Sequence, residues 1–260
     1  MLESYALAIV DFSDYVAKNK DDEKGWYWRA RARFGFGEAE QALNDLDRAL
    51  ELNELYAPAL VLKGDIQAAR NQYQAAIKMY TKALEIYIFD LDVVLKRIEC
   101  FMKVHDYERA VKDCSEILAK FPDYYQAYYL RSSAYKALLQ LDKAEADINK
   151  GLTLDPDKQN SLAMFSRAMC RMLQGKFDGA VADLRTAAFV DSPDRAAYSL
   201  HFCIALGASG RPQDVRAEYE LAKKNLPAIV GEEDSTSAGR YCSLHCRRGG
   251  QAGPRSGGNQ

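Results

Sequence analysis

FPDYYQAYYLRSSAYKALLQLDKAEADINKGLTLDP, residues 121–156, is the stretch whose reading decides the fold. Its apolar residues recur at helical spacing in two blocks with a short turn between them, which reads as two amphipathic helices. Pro122 and Pro156, 34 residues apart, punctuate it. Weaker copies flank it at nearly the same step. The alanine in Lys143-Ala144-Glu145 recurs as Ala42, Ala76, Ala110 and Ala180. Seven residues after each stands Ala49, Ala83, Ile117, Gly151 or Ala187. Sixteen before stands a large apolar residue: Trp26, Leu60, Val94, Tyr128 or Met164. Twelve before comes a mostly small one: Ala30, Gly64, Ile98, Ser132 or Ala168. Small residues at fixed places let two helix backbones approach closely.

This register resembles the tetratricopeptide repeat, whose pattern has a Trp-like residue at position 4, a small one at 8, alanines at 20 and 27, and proline at 32. Pro122 and Pro156 match position 32, and Gly37 and Gly175 match the inter-helix turn at 15. Ile98 departs from the pattern by its size, and Asn53-Glu54 ends the first copy without its proline. The resemblance implies an all-α, right-handed α-solenoid of stacked helix-turn-helix units. Five repeats are expected at about 23–56, 57–90, 91–124, 125–160 and 161–194. Residues 1–22 read as a leading half-repeat, 195–227 as a degenerate sixth helix pair or cap, and 228–260 as a tail.

A second pattern uses the same register. Arg29, Arg97, Arg131 and Arg167 stand at position 7, and Asp45, Asp113, Asp147 and Asp183 at position 23. The second repeat has Lys63 and Met79 and breaks both halves together. The inference is an ion pair joining the first helix (A) to the second (B) in four repeats; the alternative is exposed charges meeting on solvated faces.

At the ends the pattern changes. Ala8 and Asp11 fall at positions 20 and 23, so Ser4 to Lys18 reads as a helix B without its helix A. Either this is a product shortened at its start or a solitary helix capping the array. Past Pro193, Arg195–Ser209 and Pro212–Asn225 read as two more helices, with Asp194 as N-cap and Pro212 at a first helical position. His201 and Ala217 replace the Arg and Asp there. From Gly231 onward, seven of 30 residues are glycine and apolar periodicity is lost. Such a segment buries too little to offset its ordering entropy, so it is expected to be disordered. Its foreign character fits an alternatively spliced C-terminal exon.

Composition narrows the function. A formal net charge of −2 gives no global attraction to nucleic acid. No run of 18 apolar residues exists to span a bilayer, and MLESYALAIVDFSDY has no basic region typical of a signal peptide. Six irregularly spaced cysteines make no disulfide framework, so a reducing cytoplasmic compartment is expected. A ciliary or other complex-bound location is not derivable from the residues.

No catalytic constellation is present, and no cofactor or metal is expected. Gly35-Phe36-Gly37 lies in an inter-helix turn without the Lys-Ser/Thr of a phosphate loop. His105 reads as a turn residue, and Cys100, Cys114 and Cys170 as core thiols. Cys242, His245 and Cys246 supply three metal-ligand types without a fourth.

What remains is a surface for another protein. The resemblance implies a concave face built from positions 2, 5, 9 and 12 of each A helix. These are Lys24, Tyr27, Arg31 and Phe34, then Pro58, Val61, Asp65 and Ala68, then Asp92, Leu95, Glu99 and Met102. Gln126, Tyr129, Ser133 and Lys136 follow, and then Leu162, Phe165, Met169 and Met172. The face runs from basic and aromatic, through acidic, to apolar. The last four residues face either a partner or the sixth repeat. Family members that clamp a chaperone's C-terminal carboxylate carry asparagine at position 9. Here that place holds Arg31, Asp65, Glu99, Ser133 and Met169, so no such clamp is expected. The function read from this is a scaffold or adaptor holding a peptide or helical segment of a partner protein in the groove. The alternative is a co-chaperone or regulatory subunit working through its edges or convex face.

Overall fold

In the computed structural model, the described residues are 2–87, 89–157, 160–189, 195–211 and 213–215. Among them are twelve helices and no strand, an all-α fold of stacked helix pairs. The chain divides into two compact units, residues 1–120 and 121–260. The first holds α1 (Leu2–Lys18), α2 (Glu23–Phe36), α3 (Ala39–Leu52), α4 (Ala57–Ala69), α5 (Tyr73–Ile86), α6 (Leu91–Lys103) and α7 (Tyr107–Lys120). The second holds α8 (Tyr125–Ala137), α9 (Leu141–Leu154), α10 (Ser161–Leu173), α11 (Phe177–Phe189) and α12 (Arg195–Ala208). Asp194, Pro212, most of the expected Pro212–Asn225 helix, and the tail with Cys242, His245 and Cys246 lie outside the described residues.

The 34-residue step is written into the helix ends. Lys18, Leu52, Ile86, Lys120 and Leu154 close α1, α3, α5, α7 and α9. Local chemistry sets these boundaries. Asp22 and Asp90 cap α2 and α6 by accepting from the backbone N–H of Lys24 and Val93. Asn160 does the same for Ala163 at α10. After α3, Asn53 stands in for the missing proline: its side chain accepts from the Leu55 N–H at 3.1 Å, an Asx turn that stops the helix. The turn from helix A to helix B passes through a left-handed residue in every unit: Gly37, Asn71, His105, Leu139, Gly175 and Gly210, with φ between 57° and 102°. Gly37, His105 and Gly175 are turn residues on the sequence pattern as well, whereas Asn71 and Leu139 are not marked by it. Leu139 is the costly member, a γ-branched residue with φ 57° whose side chain is 75% exposed.

The close approach of each pair is made at the alanines. Ala42, Ala76, Ala110, Ala144 and Ala180 have no exposed surface. Size is traded across the hairpin between position 8 and position 24. Gly64 lies under the fully buried Tyr80 ring, where a Cβ would fall 2.6 Å from a ring carbon. In the next repeat the large residue changes sides: Ile98 replaces the glycine, Cys114 replaces the tyrosine, and both are fully buried. The departure at Ile98 is therefore compensated volume, which close-packed interiors require.

The Arg and Asp residues spaced 16 apart meet as forked pairs. Arg29 donates from Nε and Nη2 to the two carboxylate oxygens of Asp45 at 2.9 and 2.6 Å. Arg97 does so to Asp113 at 2.8 and 3.0 Å, and Arg131 to Asp147 at 2.8 and 2.8 Å. Arg167 reaches Asp183 at 2.9 and 2.6 Å. All four carboxylates are buried, with 2–7% exposure. Burial pushes the Asp113 carboxyl above its ordinary range, with the bonds from Arg97 opposing it, so desolvation is a real cost of the pair.

Position 11, which the sequence reading did not single out, completes each pair. Arg33 and Arg171 give Asp45 and Asp183 a second guanidinium at 2.8 and 2.9 Å. Phe101 and Tyr135 instead lie beside the guanidinium of Arg97 and Arg131, 5.8 Å from ring centre to cation in both cases. In the second repeat Lys63 turns away to Asp47.

Three outcomes follow in unfolding experiments. Arg131→Ala strands a buried carboxylate and is expected to cost roughly 3–5 kcal/mol. Arg131→Ala/Asp147→Ala should cost less than the sum of the single changes, by about 1 kcal/mol or more; additive losses would mean that the residues do not act as a pair. Leu139→Gly should raise the melting temperature, with a net gain of about 0.5 kcal/mol once the glycine's chain entropy is charged against the relieved φ.

Candidate functional site

The A helices carry the candidate surface, and the structure sorts its residues into a fixed floor and free side chains. In the first unit, Tyr27 sits edge-on to Tyr56 with centroids 5.5 Å apart. It and Phe34 pack on the cluster containing Ala59, Leu62 and Ile66, tying α2 to α4. Asp65 has both oxygens engaged: Oδ1 accepts from the Tyr80 hydroxyl at 2.8 Å and Oδ2 from Lys96 Nζ at 3.0 Å. Burial, and then the bond to Asp65, push the Tyr80 hydroxyl well above its ordinary pKa, so it stays protonated and donating. Lys96 also pairs with Asp92 at 3.0 Å. This network occupies the repeat that lacks the Arg–Asp pair. Burial pushes the neighbouring Cys100 thiol up to about 11, so it is an inert core thiol at neutral pH.

The free members of this unit are Lys24, Arg31 and Glu99, all exposed; Asp92 is exposed too but is held by Lys96. The Arg31 guanidinium lies 5.3 Å from the centre of the Trp28 ring, which is itself 42% exposed.

In the second unit most candidates have structural partners. The Tyr129 hydroxyl donates to Asp155 at 2.9 Å, and its ring fills the space over Gly151, where a Cβ would fall 2.5 Å away. Asp155, 2% exposed, also accepts from the Asp157 N–H and from Asn160 Nδ2. Ser133 donates back to the Tyr129 carbonyl at 3.0 Å. Lys136 Nζ reaches Ser166 Oγ at 3.1 Å, linking α8 to α10. Phe165 lies against Tyr198 and His201 of α12, with centroids 4.7 and 5.1 Å apart. With Met172 it packs on the core formed by Leu184, Phe202 and Leu206. For these two, contact with α12 rather than with a partner is the reading the geometry favours. Met169 is half-buried.

A different opening lies between α3, α4 and α5, where the second repeat has Lys63 and Met79. It is a cleft of about 450 Å³ whose lining includes Asp47, Leu50, Glu51, Leu60, Lys63 and Met79. Among the described residues no group of three His, Cys, Asp or Glu side chains is placed to hold a metal ion. No described helix is long and apolar enough to cross a membrane.

Family models described as tetratricopeptide repeat match residues 27–90 and 125–158. Aryl-hydrocarbon-interacting protein-like 1 of Mus musculus is 29% identical over 70 residues, 27% of this chain and 21% of that protein. Sperm-associated antigen 1 of Homo sapiens is 33% identical over 64 residues, 25% of this chain and 7% of that protein. The match thus spans about a fifth or less of the length of these curated relatives. Among solved structures, YrrB, described as a TPR protein with an unusual peptide-binding site, is 21% identical with a TM-score of 0.64, covering 73% of this chain and 96% of YrrB. The C-terminal part of a TPR repeat-containing protein from Cytophaga hutchinsonii is 17% identical with a TM-score of 0.72, covering 88% of this chain and 93% of that one. These likenesses show the fold.

The division between floor and free side chains can be measured. Asp65→Ala strands the buried Tyr80 hydroxyl and should cost about 1–3 kcal/mol in urea unfolding. Glu99→Ala, on the exposed side, should stay within about 0.5 kcal/mol of the parent. Equal losses would remove the distinction.

Proposed function

We propose that this chain, a tetratricopeptide-repeat protein, is a non-enzymatic adaptor that holds a peptide or helical segment of a partner protein along the A-helix face of its first unit. The observation that carries the reading is the separation just described. Exposed charges of opposite sign, Lys24 and Arg31 on α2 and Glu99 on α6, stand over a floor locked by Tyr27, Phe34 and the Tyr80–Asp65–Lys96 network. A preformed floor leaves only the partner to be ordered on binding. The charge order selects a segment with acidic residues toward α2 and basic residues toward α6. Position 9 lacks the asparagine of a carboxylate clamp, so peptides ending in an acidic chaperone-type tail are not the ligand.

A second reading, a regulatory subunit or co-chaperone binding away from that face, is favoured by the cleft beside Lys63 and Met79. That cleft lies where the repeat gives up its buried ion pair.

Proximity labelling with the full chain supplies candidate partners, and two variants separate the readings. Arg31→Glu/Glu99→Arg should lower recovery of the A-face partner at least about tenfold, the loss expected from two rim charges reversed, with helical circular dichroism intact. Met79→Lys should leave that recovery unchanged. The opposite pattern moves binding to the cleft, and no change in either variant overturns both surfaces.

A further inference from the structure

The first helix carries a structural signal that the adaptor face does not use. α1 ends at Lys18, 34 residues before Leu52, and so stands in the register of a helix B. It is docked on α2 as tightly as the other helices are docked on their neighbours. The Tyr5 ring occupies the space over Gly35 and the Tyr15 ring that over Gly25, where added Cβ atoms would fall 2.5 and 2.8 Å from ring carbons. Val16 is buried and Phe12 stacks near-parallel to Trp28 at 6.4 Å. One face of α1 is therefore spent on α2.

Among the described residues the other face is uncovered. Asp11 stands at the place of Asp45, Asp113, Asp147 and Asp183, each of which is buried under a forked arginine. Asp11 is exposed and has no ion pair among the described residues. Beside it are Leu7 and Val10, 68% and 59% exposed. At those two places α3 carries the exposed Gln41 and Asn44 and α7 the exposed Arg109 and Lys112, while α5 has the half-buried Ala75 and the exposed Lys78. On a helical wheel Asp11 lies between Leu7 and Val10 on one flank and Ala8 and Tyr15 on the other. Glu3, Asp11 and Asp14 against Lys18 make the face net acidic.

We infer that this face of α1 docks a cationic amphipathic helix of a partner protein. That helix carries an arginine followed by a small residue, with an apolar residue three positions earlier. The internal precedents are Trp26–Arg29–Ala30, Tyr128–Arg131–Ser132 and Met164–Arg167–Ala168. The incoming arginine forks onto Asp11, the small residue sits against Ala8, and the apolar flank covers Leu7 and Val10. Docking of this kind buries Asp11 with a partner already in place, as in the four internal pairs. It uses a surface apart from the A-helix face and does not rest on the adaptor reading.

The test uses the full chain and a fluorescein-labelled, hydrocarbon-stapled peptide copying residues 125–138, which carries Arg131 and Ser132. Fluorescence anisotropy should show saturable binding. Asp11→Arg in the chain should weaken it at least about tenfold, the loss of one charge-assisted contact. The peptide bearing Arg131→Glu should bind the Asp11→Arg chain better than the parent chain. Leu7→Ser should also weaken binding. Asp11 and Leu7 are exposed, so both variants should keep the parent's helical circular dichroism. No binding, equal binding to parent and Asp11→Arg chains, or failure of the charge swap overturns the inference. Self-association of the chain that disappears with Asp11→Arg also overturns it, because the occupant is then a second copy.

Discussion

A carboxylate placed in the seam of a helix hairpin is expensive unless a cation meets it there. That constraint organises both units of this protein. Asp45, Asp113, Asp147 and Asp183 each sit in such a seam, each under a forked arginine from the facing helix. The geometry demands more than charge. The two helices must approach to alanine distance, the arginine must extend along the seam, and position 11 must supply a second donor or an aromatic cover. Asp113, whose carboxyl is pushed up by burial despite Arg97, shows how closely cost and gain are matched. Such a pair adds little net stability, yet it penalises any sliding of one helix along the other, because a slipped register strands a buried charge.

The second repeat shows what happens when the pair is given up. Its seam is filled by volume, Tyr80 over Gly64, and its polar contact moves to the other side of the hairpin, where Tyr80 and Lys96 share Asp65. The cleft at Lys63 and Met79 is the counterpart of that shift. The same bookkeeping applies at α1, where an aspartate in the pair register faces solvent beside two exposed aliphatic side chains. Within one architecture, surfaces become distinctive where the repeated constraint is relaxed or left unfinished.

Positions 2, 5, 9 and 12 of the A helices serve two demands at once. They bond one repeat to the next, as Lys96–Asp65 and Lys136–Ser166 do, and they line the face proposed above to meet a partner. In this chain the first demand takes Tyr27, Asp65, Lys136, Phe165 and Met172, while Tyr129 and Ser133 make their hydrogen bonds within their own repeat. Lys24, Arg31 and Glu99 of the first unit are left for the second. The adaptor reading therefore narrows to a few exposed charges on a rigid floor.

The repeat, its 34-residue step, the helix pairs and the Arg–Asp register were legible in the sequence. Each rests on contacts within one hairpin, at a fixed separation that recurs and reinforces itself on reading. Small residues at positions 8 and 20 and charges 16 apart are steric and electrostatic requirements of two helices joined by a short turn. The compensation of Ile98 by Cys114, the left-handed turns at Asn71 and Leu139, and the role of position 11 were not legible, because different residue types meet the same need there. Nor was the sorting of groove candidates into floor and free side chains. Those contacts join residues 15–36 apart in partner combinations that do not recur, such as Tyr80–Asp65, Tyr129–Asp155 and Phe165–His201. Periodicity marks which side of a helix a residue occupies, whereas only the packed neighbours decide whether its polar atoms and apolar surface are already spent.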